Sequence, residues 1–383
     1  MAGNKAKSQH RLVMLAFPFL IAFTLHLLLF ATAPMVTVIM EEMELSHAQF
    51  GFLFSVAMIS VIFLRVPWGL MADRKGYVRV LRIALPVTAA SAFARAFSPD
   101  YLTLLLSQVC LGVGLAAVMP CLPVMVQSWS RRTAGLSTGV YVSGFAAGNA
   151  TALGLTPSLL GMVDWRQVLM TYAGVGAVVC GLWWALARGG EQSSSELRVK
   201  DFGALLKDRY VWVLVFFLIG AMGSYDTLAT WMPKVLALKE LNTAFSSLLP
   251  LGFFVAGPVV GLASDRLQNR RAVVALLGCV AAASIVGINC APFPLLLMCL
   301  FLSGFAPIGV LTIALAAPVE DERLSRSAGA VVGLASALGN IGPLAMPVGF
   351  GFLMDLTGTF QASVLCVAAL AGGTFILGSR ASR

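Results

Sequence analysis

The sequence is poor in charge, in histidine and in any recognisable reactive cluster. Charged residues make up 11% of its 383 positions, against nearer a quarter in an ordinary globular domain. A water-solvated core of this length lacks the polar surface needed to cover it. Three histidines are present, and none stands at a metal-binding spacing or beside a Ser-Asp pair suited to nucleophilic catalysis. No glycine-rich loop ending in Lys-Ser or Lys-Thr occurs, which argues against an ATP-driven machine. The seven cysteines (Cys110, Cys121, Cys180, Cys279, Cys290, Cys299, Cys366) contain no C-x-x-C pair and fall inside apolar runs. They are expected to be small buried hydrophobes, with neither a disulfide framework nor a metal site. No cofactor is called for, and nothing points to an enzyme.

Apolar sequence is what the chain has in excess. It is 59% hydrophobic, with a mean hydropathy of +0.89. A membrane helix needs roughly 20 apolar residues to cross about 30 Å of hydrocarbon. Twelve stretches meet this: 12–36, 48–71, 77–97, 101–127, 134–160 and 167–187, then 210–236, 245–264, 272–290, 293–317, 327–353 and 359–379. The expected fold is an all-α membrane protein of twelve transmembrane helices. Lys5, Lys7 and Arg11 before the first run imitate a secretory leader, but the run continues too long and reads as an uncleaved first helix.

The net charge of +9 is not gathered into a nucleic-acid-binding patch. With the N-terminus inside, 21 of the 26 Lys and Arg residues fall in the tails and even-numbered gaps. Only Arg95, Arg166, Lys234 and Lys239 fall on the opposite side. That bias places both termini in the cytoplasm. It gives a multi-pass protein of the inner (plasma) membrane, with the bilayer as its partner and no nucleic acid.

The chain repeats itself. Residues 69–79 read GLMADRKGYVR and 261–271 read GLASDRLQNRR, so Gly69, Asp73, Arg74 and Arg79 recur 192 residues later as Gly261, Asp265, Arg266 and Arg271. A second pairing, Gly148-Asn149 with Asp164 against Gly339-Asn340 with Asp355, is shifted by 191. The expected organisation is therefore two six-helix bundles related by pseudo-two-fold symmetry, at 1–188 and 210–383. A Gly- and Ser-containing cytoplasmic linker, 189–209, joins them.

These Gly-x-x-x-Asp-Arg segments are where the chain resembles the major facilitator superfamily, across essentially its full length. The resemblance implies a secondary active transporter working by alternating access, by symport, exchange or uniport, and a monomer. It implies that the eight motif residues gate conformational change without touching substrate, their arginines supplying partners for a salt-bridge cluster that can break and reform. Gly69 would allow close helix approach, and Asp73 would favour a helix N-terminus.

Arg65 lies eight residues before Asp73, about 12 Å along a helix, where a charge is costly and normally lines a cavity or pairs. Its forked donors suit a planar oxyanion. Snorkelling, or pairing with Asp226, is the competing reading. The string Leu64-Arg65-Val66-Pro67-Trp68 is similar to helix 2 of nitrate/nitrite porters, and the resemblance implies that Arg65 binds the anion. Those porters carry a second arginine in helix 8, where this chain has Gly257. Cyanate-permease-like relatives and larger monocarboxylates stay open.

His26, Gln108, Asn149, Tyr225 and Asn340 are further candidates for contacting substrate. His26 stands eight residues before Pro34, and Tyr225 and Asp226 stand eight and seven before Pro233. His26 and Asp226 are accordingly the candidate carriers of coupled protons. Gln108 occupies a position where the resemblance would place an arginine, and the Gly148-Asn149 step replaces the Gly-Pro of drug antiporters. The expected function is transport of a small monovalent anion or monocarboxylate. The alternatives are an exporter of amphipathic compounds and a non-transporting receptor on the same scaffold.

Overall fold

The computed structural model describes residues 2–129, 134–189, 205–267, 269–320 and 328–381. Among them there is no strand. The first half of the chain forms α1 (Ala2–Phe30), α2 (Val36–Glu42), α3 (His47–Ser55), α4 (Ala57–Lys75), α5 (Tyr77–Ala96), α6 (Tyr101–Trp129), α7 (Ala134–Leu160) and α8 (Trp165–Leu186). The second half forms α9 (Arg209–Leu238), α10 (Leu248–Leu267), α11 (Arg270–Cys290), α12 (Leu295–Glu320), α13 (Ala328–Gly339), α14 (Ile341–Thr357) and α15 (Phe360–Ala381). Ten described spans are long and apolar enough to cross a membrane, several of them made of two consecutive helices. The α7 helix and the shorter apolar stretch Phe360–Phe375 accompany them. Most of the expected linker, 190–204, lies outside the described residues.

Three breaks divide stretches that read as continuous apolar runs. The first falls at Ala33–Met35, a 3₁₀ turn with Pro34 near its start. At Val56, between α3 and α4, the Ser55 hydroxyl donates back to the Gly51 carbonyl at 2.8 Å, a bond that bends helices. The third break is at Asn340. Pro343 has no N–H to offer the Gly339 carbonyl, and the Asn340 amide donates to the Ser336 carbonyl at 2.6 Å.

The internal repeat recurs as packing. A Cβ on Gly112 would collide with the Ala57 carbonyl, and one on Gly304 with the Leu249 carbonyl. Both partners are displaced by 192 residues. Ser60 donates to the Val109 carbonyl at 2.9 Å, and the equivalents, Gly252 and Phe301, approach so closely that a Cβ would strike the Phe301 carbonyl. Gly148 sits against Phe23 and Leu27, and Gly339 against Leu218, which is 191 residues beyond Leu27. Lipid offers helices no hydrophobic reason to associate, so small residues that let backbones touch carry much of the packing.

Gly112→Val and Gly304→Val should therefore cost similar stability, about 1–3 kcal/mol each, read as a lowered unfolding temperature in detergent. Gly181→Val, where nothing lies within 4 Å of the added carbon, should leave it nearly unchanged. A tolerant Gly304→Val beside a damaging Gly112→Val would break the equivalence.

Of the cysteines, Cys121 and Cys299 are buried as expected, while Cys110, Cys279, Cys290 and Cys366 are exposed on their helices. The expectation of uniformly buried thiols is corrected: in a membrane an apolar side chain is as well solvated facing lipid as facing protein.

Candidate functional site

Arg65 lies on the side of α4 opposite Phe63 (71% exposed) and Pro67, with Val61 one turn before it and buried. It is partly exposed, yet on the inward face, and its guanidinium has no hydrogen bond or ion pair among the described residues. The alternative pairing with Asp226 is not formed. The ionisable group that interacts with its charge is the Tyr141 phenol on α7. Three residues on, the Trp68 indole N–H is buried without an acceptor.

From Tyr141 a stripe at four-residue spacing climbs α7 through Phe145 to Asn149. The Tyr141 and Phe145 rings meet edge-on at 6.1 Å. Phe145 packs on the His26 imidazole at 4.5 Å, and His26 on Phe30 at 5.6 Å. The His26 Nδ1 atom is buried without a partner among the described residues. At the top, the Asn149 amide donates to the Tyr225 hydroxyl at 2.7 Å, a bond between α7 and α9 that joins the two halves of the chain. The Asn149 carbonyl oxygen is left unpartnered. Tyr225 meets Phe253 of α10 edge-on at 5.3 Å. Asp226, next to it in the middle of α9, makes no side-chain hydrogen bond or ion pair among the described residues. The structure thus gathers Arg65, His26, Asn149, Tyr225 and the unpredicted Tyr141, Phe145 and Phe253 around one interior.

Two candidates fall elsewhere. Gln108 is fully buried between α5 and α6, where its carbonyl accepts from Arg95 Nη1 at 3.0 Å. It serves a buried guanidinium and does not join the group around Arg65. Arg95 itself, expected at the membrane edge as a topology-setting charge, is completely buried. Asn340 spends an amide N–H on the Ser336 carbonyl of the preceding helix, α13, instead of reaching into the interior. It shares a repeat position with Asn149 but does a different job, since it holds a helix break.

In the loop motifs, Arg74, Arg79, Arg266 and Arg271 are exposed. The Asp265 side chain lies outside the described residues. A Cβ on Gly69 would meet Pro120 at an ordinary 3.6 Å and one on Gly261 would meet nothing, so this conformation does not require glycine at either site for packing. Gly76, at φ +83° between α4 and α5, is where glycine is needed.

The halves also meet at the end carrying the 43–46 and 239–242 connections. The Asp355 carboxylate of α14 accepts from the backbone N–H groups of His47 at 3.0 Å and Ala48 at 2.9 Å, and lies 2.7 Å from His47 Nδ1. Ser46 and Gln49 complete the start of α3 as a capping box. Gly351 and Gly51 are in backbone contact with His47 and Pro347 respectively. This cross-chain cap escaped the sequence reading, which noticed Asp355 only as the repeat of Asp164. Asp164 caps its own helix, accepting from the Arg166 N–H at 3.0 Å.

A family model described as the Major Facilitator Superfamily matches residues 18–347. Among curated proteins, the chain is similar to the probable nitrate transporter NarT of Staphylococcus carnosus, 23% identical over 88% of this chain and 87% of that one. It is also similar to a D-galactonate transporter of Escherichia coli, 26% identical over 87% of this chain and 86% of that one. Among solved structures, a bacterial homolog of the human lysosomal transporter Spinster, in an inward-facing and occupied conformation, superposes with a TM-score of 0.76 at 15% identity. That match covers 96% of each chain.

Proposed function

Since the chain belongs to the major facilitator superfamily, we propose that it is a secondary active carrier of a small monovalent anion or monocarboxylate. The observation that carries this reading is Arg65, a guanidinium on the inward face of a membrane helix with no hydrogen-bond or ion-pair partner among the described residues. A cation held there without a counter-charge is expensive, and an anionic substrate supplies what the fold withholds. Relatives named for nitrate and galactonate are transporters of anions by name, which supports the class.

The working unit in this reading is a monomer of two six-helix bundles, 1–188 and 210–383, rocking about the interior beneath Asn149 and Tyr225. The contacts repeated at 192 residues support that layout, and the charge bias supports cytoplasmic termini. The His47–Asp355 end is then the outer one, and Gly69, Asp73, Arg74, Arg79 and their repeats gate the inner one. The test is counterflow in proteoliposomes with nitrate, nitrite, cyanate and a series of monocarboxylates. A folded protein that exchanges none of them would end the anion reading.

Asp226 and His26 are the coupling candidates, with Asp226 the stronger because its carboxylate, in mid-helix, has no hydrogen-bond or ion-pair partner among the described residues. Asp226→Asn should abolish accumulation driven by a pH gradient while leaving counterflow, which needs no net proton movement, largely intact. Accumulation equal to the wild type would remove Asp226 from the mechanism.

A further inference from the structure

Resting on the carrier reading above, we propose that the substrate is an organic monocarboxylate with a flat, ring-sized body, and that Gly257 is the position that admits it. The internal repeat places Gly257 where the other half has Arg65. The two poles of the interior are therefore unlike: one is a guanidinium and the other lacks a side chain altogether.

Gly257 is half-buried, on the side of α10 that turns toward the interior. Phe253 lies one turn earlier on the same stripe of α10, and its ring is edge-on to Tyr225, which is buried and bonded to Asn149 across the halves. The exposed side of α10 carries Leu251, Phe254, Val255, Val259 and Leu262, and Gly257 lies at its edge, next to Phe253. A Cβ built on Gly257 meets nothing within 4 Å, and the next residue of the stripe, Gly261, is equally open. An empty stripe does not by itself make a site. Here it lies beneath an arch whose buried Asn149 carbonyl oxygen has no partner among the described residues, and Arg65 stands at the repeat-equivalent position in the other half.

Size and chemistry follow from this arrangement. An inorganic oxyanion would satisfy Arg65 and leave the Gly257 side unfilled. A ring bearing one carboxylate places its charge on the fork of Arg65 and its faces and edges against Tyr141, Phe145 and Phe253, the geometry aromatic groups favour. A dianion would bring a second charge to a pole that offers no cation among these residues.

The experiment is counterflow of labelled benzoate into proteoliposomes loaded with benzoate. Formate, nitrate, phenylacetate and cyclohexanecarboxylate serve as competitors for wild type, Gly257→Ala and Gly257→Leu, each checked for a monodisperse elution profile. In the wild type, ring carboxylates should compete at about tenfold lower concentration than formate or nitrate. Gly257→Leu should lose benzoate exchange by about tenfold or more while keeping formate exchange, with Gly257→Ala between them. Nitrate or formate competing as well as the ring acids in the wild type overturns the proposal without any variant. Benzoate exchange unchanged in both variants overturns it as well. Exchange of no anion at all by the wild type sinks the carrier reading together with this one, whereas exchange of small anions alone sinks only this one.

Discussion

Arg65→Gln is expected to reduce anion counterflow by about a hundredfold or more while leaving the protein folded. Hydrogen bonds to charged groups contribute about 1.5–3 kcal/mol each, and a guanidinium presents two in parallel to a carboxylate. Their loss in an interior of low dielectric exceeds what a neutral amide can return. Arg65→Lys keeps the charge but loses the fork, so it should fall between the two. The fold should not suffer, because Arg65 bonds to nothing among the described residues. The unfolding temperature of ligand-free Arg65→Gln should equal or exceed that of the wild type, since a half-buried cation with no partner among the described residues has been removed. The stabilisation that an anion confers on the wild type should vanish. Counterflow at the wild-type rate would make Arg65 structural and hand the lead to the amphipathic-exporter alternative.

The features legible in the sequence were those set by a local rule or by repetition. Apolar runs of the required length located the membrane helices because a run of about 20 residues crosses lipid with its backbone satisfied as a helix, a barrel strand needing only about half that length; α7 falls where the run 134–160 predicts. The motif pair at 69 and 261 announced a repeat that the Gly112 and Gly304 crossings then showed as packing. Legibility ended where two remote residues must meet. Asn149 and Tyr225 were each singled out, yet their bond joins positions 76 residues apart in different halves. Arg95 was read by its nearness to a gap, although its length lets it turn inward to Gln108; the polar Gln108 within an apolar run was the available signal. Asn149 and Asn340 show the limit of the repeat itself. Their surroundings are equivalent in sequence, but Pro343 breaks the helix beside Asn340 and redirects its side chain.

The second large effect is expected at Asp355, the residue that ties the two halves at the end opposite the loop motifs. The first N–H groups of a helix have no partner within it. At α3, the third is satisfied by Ser46, and the first two are satisfied by a carboxylate 308 and 307 residues away. Opening this end must strip both donors and the His47 contact at once. The side chains of His47 and Asp355 are each 28% exposed, so solvent lowers the value of the contact between them. Cap and pair together are worth about 2 kcal/mol, or roughly a thirtyfold change in the balance between open and closed. Asp355→Ala should accordingly populate the state opened at this end. Spin labels at Glu41 and Thr359, both exposed, should gain a longer-distance component in the bilayer. His47→Ala, which spares both backbone bonds, should shift the distribution less. Asp164→Ala is the decisive control: it removes the repeat-equivalent carboxylate but only a cap within its own helix, so the distance between the halves should not change. If Asp164→Ala and Asp355→Ala opened the molecule equally, loss of a helix cap anywhere at this end would explain both, and the link between the halves would not be the cause.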